Sequence, residues 1–250
     1  MGALQGKIAL VTGAGRGIGA AIAKRLARDG ARVIVNYAHS AEKAAAIVDA
    51  ILAAGGDAFT VQADISDLAD IQRLAVDVRD RAGHLDILVN NAGHGTSGKP
   101  SNLADMSVAD YDGTYALNTR GLFFTTQALL PLIRDDGRII NFSSTTTACR
   151  VGGLSAYGGS KAAVEAFSRI WAAELAPRRI TVNTVQPGMT NTDMITGGMG
   201  VAAMEKAASH HPMKRVGEPE DLADIVAFLA SDDSRWINGQ ILTGTGGTMV

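Results

Sequence analysis

The stretch that decides the fold is KIALVTGAGRGIG, which runs from Lys7 to Gly19. It begins as a short apolar run that ends at Val11, passes through four closely spaced glycines, and is followed by residues of helical period from Ala20 to Arg28. Strand, tight turn and helix are therefore expected in that order. Glycines let the backbone approach a pyrophosphate closely, and a helix N-terminus offers free N–H groups and a partial positive charge. The stretch predicts a phosphate cradle.

The rest of the chain repeats the alternation of apolar strand and helix. A helix is expected from Ser40, its N-cap, to Leu52, and a longer one from Tyr111 to Ile133. Six or seven such strands separated by helices predict an α/β fold, a Rossmann-type doubly wound parallel sheet in a single domain covering residues 1–250. The later strands are expected at residues 32–37, 59–64, 85–89, 138–142, 180–185 and 236–242.

Composition excludes several classes of function. Lys and Arg number 23 and Asp and Glu 25, a net charge of −2 without a basic stripe, so neither nucleic acid nor an anionic membrane is expected as a partner. Cys149 is the single cysteine, which excludes an internal disulfide, and the five histidines show no metal-ligand spacing. With no signal-like start or long apolar span, a soluble cytoplasmic protein without a metal is expected.

A second informative stretch runs from Ser143 to Lys161. Tyr157 and Lys161 stand four positions apart, before a helix-favouring run, so the phenol and the ammonium are expected on one helix face. A neighbouring cation would lower the pKa of the tyrosine and suit it to pass a proton near neutral pH. Ser144 follows a buried strand, where open α/β sheets place their ligands. Taken alone, the tyrosine and lysine are more typical of a surface pair on a helix, and the serines fit ordinary turn chemistry.

These motifs together resemble the short-chain dehydrogenase/reductase family, and the 3-oxoacyl reductase-like ketoreductases within it. The family carries a serine followed by Tyr-x-x-x-Lys, and its glycine pattern is T-G-x-x-x-G-x-G. This chain has that pattern from Thr12 to Gly19, whereas Ile18 departs from the G-x-G-x-x-G fingerprint counted from Gly13. The resemblance covers nearly the whole chain.

The resemblance implies a role for each matching residue. Tyr157 would be the proton donor, Lys161 would hold the nicotinamide ribose, Ser144 would orient the carbonyl, and Asn118 would distort its helix and hold a water of a proton relay. The cofactor-binding residues expected are Gly13, Arg16, Gly17, Ile18, Gly19, Asn36, Tyr37, Ala38, Ser40, Ala63, Asp64, Ile65, Asn91, Ala92, Gly93, Tyr157, Lys161, Pro187, Gly188, Thr190 and Thr192.

The end of the second strand indicates which cofactor is preferred. NAD-binding folds place an acidic residue roughly 20 positions beyond the glycine turn, on the ribose 2′-hydroxyl. Residues 36–40 read Asn-Tyr-Ala-His-Ser and hold no carboxylate that would repel a 2′-phosphate. Arg16 could supply a cation to that phosphate. NADPH is the predicted cofactor, with NADH as the alternative.

The predicted reaction is reduction of a small-molecule ketone to a secondary alcohol. Related 3-oxoacyl reductases dock an acidic carrier protein on basic residues. Arg178 matches one such position, but Asp135 and Asp136 occupy the other, which favours a free small or polyketide-like ketone over a carrier-bound acyl chain. NAD-dependent alcohol oxidation and a non-catalytic dinucleotide-binding scaffold remain alternatives. A lid is expected at about residues 189–213, where five of the eight methionines lie, and the family implies a homo-oligomer, commonly a tetramer.

Overall fold

The computed structural model describes residues 2–95, 101–149, 151–193 and 201–248. Its strands form one parallel sheet in the order β3-β2-β1-β4-β5-β6-β7. The predicted fold class is confirmed. The strands are β1 (Ile8–Val11), β2 (Arg32–Tyr37), β3 (Asp57–Gln62), β4 (Leu85–Asn90), β5 (Ile133–Phe142), β6 (Thr181–Pro187) and β7 (Ile241–Gly244).

Helices cover both faces of the sheet, as parallel strands require. At the N-terminus of three helices, side chains accept hydrogen bonds from the free backbone N–H groups. Asp67 caps α3, Ser107 caps α4, and Glu218 and Asp221 form a capping box on α8. The helices are α1 (Gly17–Arg28), α2 (Ala41–Ala53), α3 (Leu68–Ala82), α4 (Val108–Tyr115), α5 (Leu122–Leu129), α6 (Ser155–Glu174), α7 (Val201–His210) and α8 (Pro219–Ala230).

Alternation along the strands divides the core into two layers. In β1, Ala9 and Val11 face the layer that contains α1, α2 and α8, while Leu10 faces the layer of α3, α5 and α6. All three are fully buried. Because both faces of each central strand are covered, the strands read as continuous apolar runs in the sequence.

The strand order creates a crevice at one edge of the sheet. The chain leaves β1 toward β2 and β3 and then returns to place β4 on the other side of β1. The loops after β1 and β4 therefore diverge, and ligands of open α/β sheets bind at such a switch point beyond the carboxyl ends of the strands. The loops that follow β5 and β6 end at the same edge.

Two expected elements differ from the sequence prediction. The helix expected from Tyr111 to Ile133 begins at Val108 and ends at Leu129, two residues before Pro131, and a π-helical turn (Ala116–Gly121) divides it. The last strand begins at Ile241 rather than at residue 236. Gly239 has a φ of 70°, which a strand does not adopt, and Val182 N donates to the Asn238 side chain (2.8 Å) rather than to a backbone carbonyl.

Leu68, although apolar, is 45% exposed because it is the first residue of α3. Of the expected lid at residues 189–213, positions 194–200 lie outside the described residues. None of the helices in the described ranges combines the length and apolar character that crossing a bilayer would need.

Candidate active site

Ser144 and Tyr157 meet at the carboxyl edge of the sheet. Ser144 follows β5 in extended conformation, and its Oγ accepts from Thr146 N at 3.3 Å, so the turn chemistry expected as an alternative is present. The same side chain hydrogen-bonds the phenol of Tyr157, which lies in the first turn of α6. Two hydroxyl groups thus stand side by side at one end of the crevice.

Burial raises the pKa of Tyr157, and the hydrogen bond with Ser144 acts in the opposite direction. The expectation that Lys161 lowers this pKa is therefore not met. The Lys161 ammonium donates instead to the Phe142 carbonyl at 2.9 Å. A raised pKa keeps the phenol protonated at neutral pH, the state that a proton donor needs.

Lys161 lies one helical turn beyond Tyr157 and is 4% exposed. Burial lowers the pKa of its ammonium to about 8 because the charged form is poorly solvated there. A Cβ placed on Gly93 would stand 3.1 Å from the Lys161 Nζ and 3.0 Å from the Asn118 Oδ1. The small size of Gly93 therefore makes room for these two side chains, in addition to its expected contact with the cofactor.

Asn118 is fully buried in the π-helical turn, as the expected helix distortion requires. Its Oδ1 accepts from His94 N (3.0 Å), and its Nδ2 donates to His94 O (2.9 Å) and Ser160 Oγ (3.1 Å). Ser160 Oγ in turn lies 2.7 Å from the Tyr157 carbonyl. The amide thus joins the loop after β4 to the tyrosine helix, and Ser160 is a connecting residue that the sequence analysis missed.

Hydrogen bonds from polar side chains fix the glycine turn to the loop after β4. Thr12 is fully buried, and its Oγ1 accepts from Asn91 N and Ala92 N, both at 3.0 Å. Asn91 Nδ2 donates to Thr12 O (2.9 Å) and Gly13 O (3.2 Å). Gly13 has a φ of 63°, and a Cβ there would stand 2.9 Å from Ala92. Thr12 was quoted in the motif, but its bracing role follows only from the structure.

Two residues that are expected to contact the cofactor have side chains that make hydrogen bonds within the protein. Asn36 is 1% exposed; its Oδ1 accepts from Gly13 N (3.2 Å), and its Nδ2 donates to Val61 O and Ala63 O. We therefore assign Asn36 to support of the glycine turn. Asp64 Oδ1 accepts from the backbone and hydroxyl of Ser66, which leaves Oδ2 toward His39 (3.9 Å).

Cationic side chains converge beside the glycine turn. Arg16 and Lys43 both approach the Asp193 carboxylate, at 3.9 and 3.7 Å, and all three side chains are more than half exposed. Ser40 precedes α2 as expected, but its side chain makes no capping bond. Since Gly15 lies against Ser40 and Ala44, the N-terminus of α2 borders the cradle. Lys43 was missed because nothing in the sequence places α2 next to the turn.

The remaining expected positions lie along the same edge. Ala63 and Ile65 are buried beside Asp64 after β3, while Tyr37 and Ala38 are partly buried at the end of β2. Past β6, Gly188 N donates to Gly244 O (3.0 Å) and Thr190 Oγ1 to Gly188 O (3.1 Å). Thr192 packs within 3.5 Å of a Cβ placed on Gly17, so this loop reaches the glycine turn. Among the described residues, no group of three or more metal-ligating side chains could hold an ion.

Comparisons with known proteins identify relatives of this chain. A family model described as enoyl-(acyl carrier protein) reductase matches residues 13–249. Elsinochrome reductase 1 of Elsinoe fawcettii is 43% identical over 251 residues, covering 96% of this chain and 93% of that one. The reductase LugOII, whose structure is described as catalysing keto-reduction at C1 during lugdunomycin biosynthesis, is 41% identical with a TM-score of 0.92 and 99% coverage of both chains.

A third relative was solved with ligands. The angucycline C-6 ketoreductase LanV with bound NADP is 40% identical, with a TM-score of 0.92 and coverage of 99% of this chain and 97% of that one. The same reductase with NADP and rabelomycin gives a TM-score of 0.88 at 41% identity, covering 99% and 98%.

Proposed function

The chain belongs to the short-chain dehydrogenase/reductase family, and we propose that it reduces a ketone to a secondary alcohol with NADPH as the hydride donor. The observation that carries this proposal is the pair of adjacent hydroxyls, Ser144 and Tyr157, with the Lys161 ammonium one turn below. Two hydroxyl donors at one point suit a carbonyl oxygen on which negative charge develops. The nicotinamide, when bound, supplies hydride to the carbonyl carbon.

The side chains divide the remaining work. Tyr157 gives its proton to the oxygen as charge accumulates, and Ser144 donates a hydrogen bond to the same oxygen. Lys161 has three N–H donors, of which one is directed to Phe142 O, so others are available for ribose hydroxyls. Its charge stabilises the tyrosinate that the transfer leaves. Asn118 lies in the π-helical turn, where it would hold the water through which Tyr157 regains its proton.

The residues present fit a dinucleotide with a 2′-phosphate. The glycine turn leaves room for a pyrophosphate at the N-terminus of α1, where Gly13 and Gly17 both have positive φ. Arg16, Lys43 and the uncapped start of α2 with Ser40 provide donors for the phosphate. No carboxylate stands at residues 36–40 to repel it. The NADP-bound relatives support NADPH, and NADH remains the alternative.

A free, polycyclic or polyketide-like ketone is the substrate class we propose. Arg178 could dock an acidic carrier protein, but its guanidinium pairs with Asp135 at 3.0 Å, and the neighbouring Arg179 makes a bidentate pair with Asp136 at 2.7 and 2.8 Å. These carboxylates would also repel an acidic partner. The relative solved with rabelomycin is a ketoreductase, which supports a free small-molecule ketone.

The test is to follow NADPH absorbance against polycyclic aromatic ketones, simple ketones and a carrier-bound 3-oxoacyl thioester. Oxidation of NADPH with formation of a secondary alcohol from a free ketone would support the proposal. Turnover only in the direction of alcohol oxidation with NAD⁺ would favour the dehydrogenase alternative, and tight NADPH binding without turnover of any compound would favour a non-catalytic scaffold.

The pKa of Lys161 predicts how cofactor use depends on pH. The ammonium is charged below its pKa of about 8 and neutral above it. Since kcat/KM for NADPH reports the free enzyme, we expect it to fall as pH rises through that value, by up to about tenfold per pH unit. Lys161→Arg keeps its charge and should lose this alkaline decline, at a lower absolute rate. A wild-type profile that stays flat up to about pH 10 would contradict the role of Lys161.

A homotetramer is the proposed assembly. Apolar side chains stand exposed on or beside α4, α5 and α6, which is typical of surfaces covered by another subunit. We expect light scattering to give the mass of four chains for the wild type. Ile170→Glu on α6 should reduce the measured mass, whereas the control Leu52→Glu on α2 should leave it unchanged. A monomeric wild type would refute this proposal. The exposed side chains are Leu103, Val108, Tyr111, Phe124, Val151 and Ile170.

The segment from 189 to 213 is proposed as the substrate lid. Methionines lie at both ends of this segment: Met189 is 37% exposed and Met213 is 59% exposed. Met189 is in the loop that reaches the glycine turn. Flexible thioethers suit contacts with varied apolar ligands. Proteolysis within this segment that slows when NADPH and ketone are added together would support closure over the substrate, and unchanged cleavage would oppose it.

A further inference from the structure

Glu165 is a buried carboxyl that the reaction described above does not use. It lies on α6 one turn beyond Lys161 and is 9% exposed. Its Oε1 is 2.6 Å from Ser143 Oγ, 2.8 Å from Thr147 Oγ1 and 3.1 Å from Gln186 Nε2. One oxygen thus receives three donors, two from the loop after β5 and one from β6. An acceptor-only carboxylate is the side chain best suited to that arrangement.

The three donors lie close in sequence to Ser144 and to the turn that follows β6. Ser143 and Thr147 are on either side of Ser144 in the loop after β5. Thr147 Oγ1 also lies 3.1 Å from the Ser144 carbonyl, so it can donate to either oxygen. Gln186 immediately precedes the Pro187-Gly188 turn, and its Oε1 accepts from Thr243 Oγ1 at 3.0 Å on the neighbouring strand.

We propose that Glu165 is a positioning residue that fixes the Ser144 hydroxyl against the Tyr157 phenol. It does so by holding Ser143, the residue before Ser144, and Thr147, three residues after it, to the helix that carries Tyr157. The inference rests on the proposed function, because it assigns Glu165 a part in keto-reduction. Small displacements of a reacting group can lower turnover by about 100-fold, so a rigid link between the two hydroxyls has a large effect.

Loss of this carboxyl should disturb geometry more than folding, because each donor has a second acceptor nearby. Ser143 Oγ lies 3.4 Å from the Lys161 carbonyl, Thr147 Oγ1 has the Ser144 carbonyl, and Gln186 Nε2 lies 2.9 Å from Thr147 Oγ1. The donors can therefore move to these acceptors without being left unpaired. Two of these acceptors are the backbone carbonyls of Lys161 and Ser144. A change of hydrogen-bond partner would therefore alter the positions of residues in the active site.

The chain offers a matched control in Ser168, on the same helix one turn farther from Tyr157. It is 1% exposed, donates to Val164 O (2.8 Å), and accepts from Asn141 Nδ2 (2.9 Å) and Thr184 Oγ1 (2.8 Å). Ser168→Ala thus removes a buried hydrogen-bonding centre that joins the same helix to β5 and β6, but away from Ser144.

The experiment compares Glu165→Leu, Glu165→Gln and Ser168→Ala in the full chain. We expect Glu165→Leu to lower kcat for the best panel ketone by about 10- to 100-fold, with the Kd for NADPH within about threefold of wild type. Glu165→Gln keeps an oxygen acceptor and should recover kcat to within about fivefold of wild type. Ser168→Ala should lower the melting temperature while kcat, normalised to NADPH-binding sites, stays near wild type.

Unchanged kcat in Glu165→Leu, an equal loss in Ser168→Ala, or failure of Glu165→Gln to recover activity would each overturn the inference. If Glu165→Leu does not fold, Thr147→Val removes one donor from a half-buried loop and should lower kcat by about three- to tenfold; wild-type kcat in that variant would also overturn it. A wild-type enzyme that reduces no ketone would refute the proposed function, whereas an active wild type with an equally active Glu165→Leu would refute only the inference.

Discussion

Replacing Tyr157 by phenylalanine is expected to lower kcat for ketone reduction by about 10³-fold while NADPH still binds, because a positioned general acid contributes about 10²- to 10⁴-fold. The substitution keeps the ring and its packing and removes only the hydroxyl. The hydroxyl is the group that the structure pairs with Ser144 and keeps protonated through burial. Stopped-flow measurement of NADPH oxidation at saturating ketone gives the rate, and fluorescence titration gives the Kd.

Tyr111→Phe is the matched control for this experiment. Tyr111 is 44% exposed and stacks on Tyr115 with ring centroids 4.4 Å apart, at α4. Removing its hydroxyl costs the hydrogen bond to Tyr115 but keeps the ring on the apolar surface of α4, so kcat should stay within about twofold of wild type. If Tyr157→Phe kept wild-type turnover, the proton would come from another group and the assignment of the acid would be wrong.

The second large effect is expected from Tyr37→Asp, which places a carboxylate at the end of β2. The backbone there is fixed, because Tyr37 O accepts from Ala63 N at 2.9 Å. A negative charge beside a 2′-phosphate should lower the ratio of kcat/KM for NADPH over NADH by about 100-fold, equivalent to about 3 kcal/mol. Most of that change should come from weaker use of NADPH. Initial rates with each cofactor at a fixed ketone concentration provide the ratio.

Tyr37→Asn separates charge from packing. Asn has nearly the size of Asp but no charge, and either change removes the tyrosine ring from the core layer of α1 and α2. We expect Tyr37→Asn to lower both kcat/KM values together and to leave their ratio within about threefold of wild type. Equal ratios in the Asp and Asn variants would show that the 2′-phosphate binds away from β2.

Local signals predicted much of this molecule. The run of apolar residues, glycines and helical period from Lys7 to Gly19 specifies β1, its turn and α1 because strand and helix periods and glycine conformations are properties of neighbouring residues. The four-residue spacing of Tyr157 and Lys161 placed them one turn apart on α6 for the same reason. The switch from β3 back to β4 then brings those loops to one crevice.

Partners of buried polar side chains could not be predicted in this way. The sequence placed Asn36 near the cofactor, yet its amide bonds Gly13 and Ala63, 23 and 27 positions away. Glu165 was read only as part of a helix-favouring run, although its contacts reach Ser143 and Gln186, 22 and 21 positions away. Such contacts depend on how strands and helices pack, which periodicity does not encode. A carboxyl on the inward face of α6 was the one available signal.

The most direct test of the account uses NADPH deuterated at both C4 positions and a polycyclic aromatic ketone that also carries a conjugated C=C bond. The proposal predicts a secondary alcohol with deuterium on the carbinol carbon in the wild type, and almost none from Tyr157→Phe. Deuterium on the carbon β to an intact carbonyl would show that the enzyme reduces the C=C bond instead. That result, or an equal yield of deuterated alcohol from Tyr157→Phe, would contradict ketone reduction with Tyr157 as the proton donor.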